Sequence, residues 1–106
     1  MTHEQVEKYL LAMPGAKLDY PFGENTAVYK VDDKMFALVR EKKEPVQISL
    51  KCDPVLAETL RHKYDTVMPG YHLNKKHWNT IVLTGQLSRE EIQDLIRHSY
   101  DLVTKS

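Results

Sequence analysis

Apolar positions along the chain change period several times, and each change marks an element. Val6, Leu10 and Met13 recur at helical spacing behind Thr2-His3-Glu4-Gln5, a capping box in which the Thr2 hydroxyl meets an orphan amide and the Gln5 side chain reaches back. Pro14-Gly15 stops the run, so a helix is predicted from about His3 to Met13. Period-two runs follow at Thr26 to Val31, Lys34 to Arg40 and Val46 to Cys52, with a weaker extended piece around Lys17 to Tyr20. Asp32-Asp33 is short enough for a tight hairpin turn, while Glu41 to Pro45 predicts a longer polar connection. Links this short imply antiparallel neighbours.

In the third run the alternation is clean. Val46, Ile48, Leu50 and Cys52 share one face; Gln47, Ser49 and Lys51 share the other, which is expected to be solvated. Asp53-Pro54 supplies an N-cap followed by proline at the first helical position, opening a helix to about Lys63 with Leu56 and Leu60 on its inner side. Thr66 to Met68 and Trp78 to Leu83 read as further strands, separated by a segment that starts with the turn Pro69-Gly70. Ser88-Arg89-Glu90-Glu91 is a second capping box, and the helix behind it carries the stripe Ile92, Leu95, Ile96, Ser99, Leu102 and Val103. No repeat or linker interrupts the order. The expected fold is a single α+β domain over residues 1–106, a two-layer sandwich with a twisted antiparallel sheet packed on N- and C-terminal helices.

Composition narrows the class. A chain of 106 residues has room for one core, and 42% hydrophobic with 28% charged residues suits a globular fold. No apolar run approaches bilayer length, and the polar start lacks the pattern of a signal peptide. Cys52 is the single cysteine, which excludes an internal disulfide and suits a reducing compartment, so the cytoplasm is the expected location. Fifteen basic and fifteen acidic residues cancel, so any nucleic-acid contact must be local. One local excess stands out. Between Asp65 and Glu90 there is no Asp or Glu, while Lys75, Lys76, Arg89, His72 and His77 all fall there.

Candidate chemistry concentrates in that segment. Tyr71 to Thr80 combines cations, amides and aromatics, the side chains that contact phosphates and stack on bases. If Ile81 and Leu83 face the core, alternation sends Trp78 and Thr80 to the face that carries Ser49 and Lys51, making Trp78 a surface aromatic beside cations. The alternative is a loop whose Tyr71 and Trp78 anchor it to the core. Elsewhere, His72 with His77, and His62 and His98 on predicted helices, match no metal-ligand spacing, so no metal site is expected. Cys52 precedes a helix start, but nothing pairs it with a base, and it reads as a core thiol. Gly15, Gly23, Gly70 and Gly85 are too scattered for a phosphate loop. No catalytic residue and no cofactor are expected.

Several stretches resemble the MmcQ/YjbR family of small bacterial proteins with a double-wing, CyaY-like (frataxin-like) fold. The carriers are Met13-Pro14-Gly15, Tyr20-Pro21-Phe22, Lys34 to Leu38, Ser49 to Pro54, Pro69 to Asn79 and Ser99-Tyr100. The resemblance implies an α, antiparallel sheet, α layout and DNA binding through hairpin tips and the Lys75 to Asn79 stretch, with no enzyme activity. Frataxins share the fold but use an acidic ridge, for which the first helix here offers only Glu4 and Glu7. The expected function is thus weak, salt-sensitive DNA contact through Lys51, Asn74, Lys75, Lys76, His77, Trp78 and Asn79. The alternative is a binding module for a protein or small ligand on the open sheet face, anchored by Tyr71 and Trp78.

Overall fold

A computed structural model describes residues 1–105 of the protein. Its elements run α1 (His3–Leu11), β1 (Lys17–Asp19), β2 (Thr26–Val31), β3 (Lys34–Arg40), β4 (Gln47–Lys51), α2 (Pro54–Lys63), β5 (Val67–Pro69), β6 (Trp78–Val82) and α3 (Arg89–Thr104). The strands form one antiparallel sheet in the order β1-β2-β3-β4-β6-β5. The α+β class and antiparallel layout expected from the sequence are present.

Local chemistry explains the boundaries. Both capping boxes form: Thr2 with Gln5 starts α1, and Ser88 with Glu91 starts α3. Asp53 caps α2, its carboxylate accepting from the Val55 and Leu56 amides behind Pro54. Asp32 and Asp33 both take positive φ, 52° and 63°, the conformation of a type I′ turn whose twist matches a two-residue hairpin. Helix α1 ends at Leu11, earlier than Met13, as the chain tightens toward Pro14.

The helices cover one face of the sheet. Val6 and Leu10 of α1 and Ile92, Ile96 and Val103 of α3 meet Ala27, Tyr29, Val39, Ile48, Leu50 and Ile81 in the main core. On α2 the buried residue is Ala57, with Leu56 and Leu60 only half-buried, because α2 lies at the margin of the sheet, over the short edge strand β5 and its neighbour β6. Register shifts between Tyr29 and Lys30, so Phe36 is the extra residue of a β-bulge that turns its ring toward the helices. There it meets Tyr100 edge-on at 5.4 Å. Ser99, buried in the apolar stripe of α3, donates to the Phe36 carbonyl at 2.5 Å and accepts from the Lys51 amide at 2.9 Å, joining α3 to two strands.

The opposite face departs from the expectation that it is solvated. Val28, Leu38 and Trp78 form a second buried cluster there, with Met35 and Leu73 packed against it, and Ser49 and Thr80 are also buried. What covers them is the connection from β5 to β6.

Candidate ligand cleft on the open face of the sheet

The connection spanning residues 70–77 folds back because its own groups hold it there. The Gly70 amide donates to the Trp78 carbonyl at 2.9 Å, and the Tyr71 amide donates to Thr80 Oγ1 at 3.1 Å, which lies 2.8 Å from Ser49 Oγ. Asn74 Oδ1 accepts from the Lys76 and His77 amides, an Asx turn, and Lys75 Nζ donates to the Gly70 carbonyl at 3.0 Å. Gly70 is required by close approach, since a Cβ there would stand 2.7 Å from the Trp78 Cβ. His72 sits at φ 57°, a conformation few non-glycine residues adopt and one that recurs at ligand sites.

Several predicted contact residues turn out to have structural jobs. Trp78 lies on the face that alternation assigned to it, beside Lys51 in register, but it is only 8% exposed beneath the connection and is not a surface aromatic. Asn79, at 2% exposure, points to the helix face, where its amide donates to the Ala57 carbonyl and its Oδ1 accepts from Arg61 Nε at 2.7 Å. Arg61 also reaches the carbonyls of Lys75 and Trp78, tying α2 to the connection. Asn74 spends its side chain on the Asx turn. Lys75 and Lys76 are exposed, and Lys51 and His77 are half-buried. Local sequence gave no hint of Arg61, because its partners lie across the fold.

Beside the buried Trp78 cluster lies a cleft of about 480 Å³, lined by Phe22, Thr26, Leu38, Arg40, Ser49, Tyr71, His72 and Leu73. Leu38 and Ser49 are buried strand residues and form its floor, while Phe22 and Tyr71 are 65% and 52% exposed. Arg40 places its guanidinium 4.6 Å from the Tyr71 ring centre, and His72 packs edge-on against that ring at 4.0 Å. No carboxylate lines the cleft. Glu41, next to Arg40, lies instead against His3 and Tyr20. Among the described residues Arg40 makes no ion pair, so its charge is available to an incoming group. Tyr71 was expected here as an anchor; Phe22, Thr26, Leu38 and Arg40 were not. Period two in β3 places Leu38 and Arg40 on one face, which was the only signal the sequence offered.

Titration behaviour follows burial. The Cys52 thiol is pushed up to about 11, first by burial and then by the Asp53 charge, with Arg61 opposing. At pH 8 native Cys52 should therefore react with an aromatic disulfide reagent about a hundredfold more slowly than in the unfolded chain. Comparable rates in buffer and in guanidinium would contradict the buried-thiol assignment. Burial also raises Tyr29, followed by the charges of Glu7 and Glu41, and Tyr20 is raised by burial and then by Glu41.

Comparison with known proteins accords with this architecture. The YjbR family model matches residues 11–102. The uncharacterised Escherichia coli K12 protein YjbR is 39% identical over 100 residues, 94% of this chain and 85% of that protein. A 55-residue match to the uncharacterised Bacillus subtilis protein YyaQ is 40% identical and covers 52% of this chain and 46% of YyaQ. A crystal structure of a Deinococcus radiodurans protein superposes with a TM-score of 0.94 at 38% identity, covering 99% of this chain and 80% of that one. A Pseudomonas syringae crystal structure gives 0.82 at 33% identity, covering 96% and 98%. With the family pattern matched across most of its length and the fold shared with these structures, the chain belongs to the YjbR family.

Proposed function

We propose that the domain is a binding module for a small anionic ligand with an aromatic or apolar body, held in the open-face cleft. The observation that carries this reading is the pairing of an apolar and aromatic lining with a single unpaired cation, Arg40, in a cleft free of carboxylates. Ligand sites combine apolar walls with a few placed polar groups, and a guanidinium takes a carboxylate or sulfonate in two parallel hydrogen bonds. Ser49, Thr26 and His72 add hydroxyl and imidazole groups at the same surface.

The test is titration with benzoate, 1-naphthoate and naphthalene-1-sulfonate, followed by amide NMR shifts and by fluorescence of Trp78, which packs with Leu38 and Leu73 of the lining. Saturable shifts confined to residues 38–40, 49 and 71–73 are expected. Arg40→Gln should weaken binding about tenfold or more, the worth of a hydrogen bond to a charged group. Shifts scattered over the surface, or equal affinity in the variant, would end this reading.

A second reading, weak DNA contact, draws support from the exposed Lys75 and Lys76 with half-buried Lys51 and His77 around a connection that carries no acid. Here cations alone would position phosphates, since Trp78 and Asn79 are committed to packing. Shifts at Lys51, Lys75 and Lys76 with an oligonucleotide, lost steeply as salt rises, would favour it.

A further inference from the structure

Away from the cleft, the fold draws together three donor groups that no local spacing displays. His3 and Glu7 lie one turn apart on α1, and Glu41 reaches them from the end of β3. One donor atom from each lies within 4.8 Å of the other two, the one such trio of histidine, cysteine or carboxylate groups found among the described residues. We propose that His3 Nε2 and the carboxylates of Glu7 and Glu41 bind one divalent first-row transition-metal ion.

Two observations point beyond a plain ion pair. His3 Nε2 stands 2.8 Å from Glu41 Oε2, yet this buried nitrogen makes no hydrogen bond. The distance suits a hydrogen bond and the direction does not. Donors that face a shared ion, each about 2.1 Å away, sit side by side at about 3 Å without pointing at one another. The second observation is Tyr29. The residue is 0% exposed, and its hydroxyl lies beside Glu7 and Glu41 without a well-directed hydrogen bond to either. A buried hydroxyl left so is costly, and a carboxylate turned onto an ion gives it an acceptor in a fixed place. Tyr20 already donates to Glu41 Oε1 at 3.3 Å, the outer hydrogen bond that orients a ligating carboxylate.

The donor set suggests the class of ion. One imidazole and two carboxylates offer nitrogen and hard oxygen with charge to balance a divalent cation, and no thiolate is present to favour copper(I). Closing the trio onto an ion with bonds of about 2.1 Å needs side-chain shifts of about 1 Å. The side chains of His3 and Glu41 keep 34% and 18% exposure, which leaves a path for the ion and for water ligands.

Calorimetric titration of the tag-free full chain with zinc chloride, and manganese(II) binding followed by electron paramagnetic resonance, test the site. One ion per chain with micromolar affinity is expected, together with a zinc-dependent shift of the His3 ring signals. The double change Glu7→Gln, Glu41→Gln should weaken binding at least a hundredfold. His3→Gln, in the first turn of α1, should do the same if the double variant is poorly folded. Glu58→Gln breaks the exposed Glu58–His62 pair and should leave affinity unchanged. Absence of stoichiometric binding to the wild type, wild-type affinity in the double or His3 variants, or loss in Glu58→Gln would each overturn the proposal.

Discussion

Trp78→Ala is expected to lower stability by about 3–5 kcal/mol, the cost of truncating a buried aromatic and leaving a cavity. The indole fills the space between Val28, Leu38, Met35 and Leu73, on the side of the sheet away from the helices. Small domains of this size unfold with only about 5–15 kcal/mol to spare, so a large share of the total rests on one side chain. Urea denaturation followed by circular dichroism measures it. The connection over residues 70–77 should loosen at the same time, because Leu73, which packs against the indole, loses its floor. A surface Trp78 whose task was to stack on bases would behave differently: its removal would leave the midpoint within about 0.5 kcal/mol of wild type. That outcome would refute the buried placement.

Replacing Asn79 with Ala should cost about 2–4 kcal/mol, and the reason is polar rather than volumetric. The side chain is buried and makes two hydrogen bonds, accepting from Arg61 Nε at 2.7 Å and donating to the Ala57 carbonyl at 3.2 Å. Its loss leaves a half-buried guanidinium short of an acceptor and the Ala57 carbonyl short of a donor beneath α2. The damage should spread. Arg61 also holds the carbonyls of Trp78 and Lys75, so α2 and the connection over the open face share one bracket. Hydrogen exchange should therefore quicken in residues 70–77 of the variant as well as around position 79. Lys76→Ala, an exposed change on the same segment, supplies the comparison and should fall within about 0.5 kcal/mol of wild type. If Asn79→Ala unfolded no more readily than Lys76→Ala, Asn79 could not be the buried bracket described here.

Local sequence presents both residues as nucleic-acid contacts, and packing between elements gives them structural roles instead. Alternation put Trp78 on the correct face, since it pairs with Lys51 just as Thr80 pairs with Ser49. It could not say that the same face would be roofed. The roof depends on the local Asx turn at Asn74 and on the close approach at Gly70 and the bond from Tyr71 to Thr80, the last two made only once strands β5 and β6 are side by side. For Asn79 the parity was legible from Ile81, two residues on. Its polar side chain on the core face becomes intelligible only through Arg61, which approaches from another element. The cleft was half visible: Tyr71 stood out, whereas Phe22 and Arg40 come from distant parts of the chain and acquire meaning by proximity. The trio His3, Glu7 and Glu41 was hidden for the same reason.

Residue order alone determined the element list, the caps at Thr2, Asp53 and Ser88, the hairpin at Asp32-Asp33 and the antiparallel layout, because each depends on neighbours a few positions apart. Periodicity also settled which strand residues share a face. What covers a face, where a bulge turns Phe36 inward, and which distant side chains meet as a cleft or a donor cluster were decided only in three dimensions. Such features arise from packing between elements, and their energies do not exist until the sheet and helices have assembled.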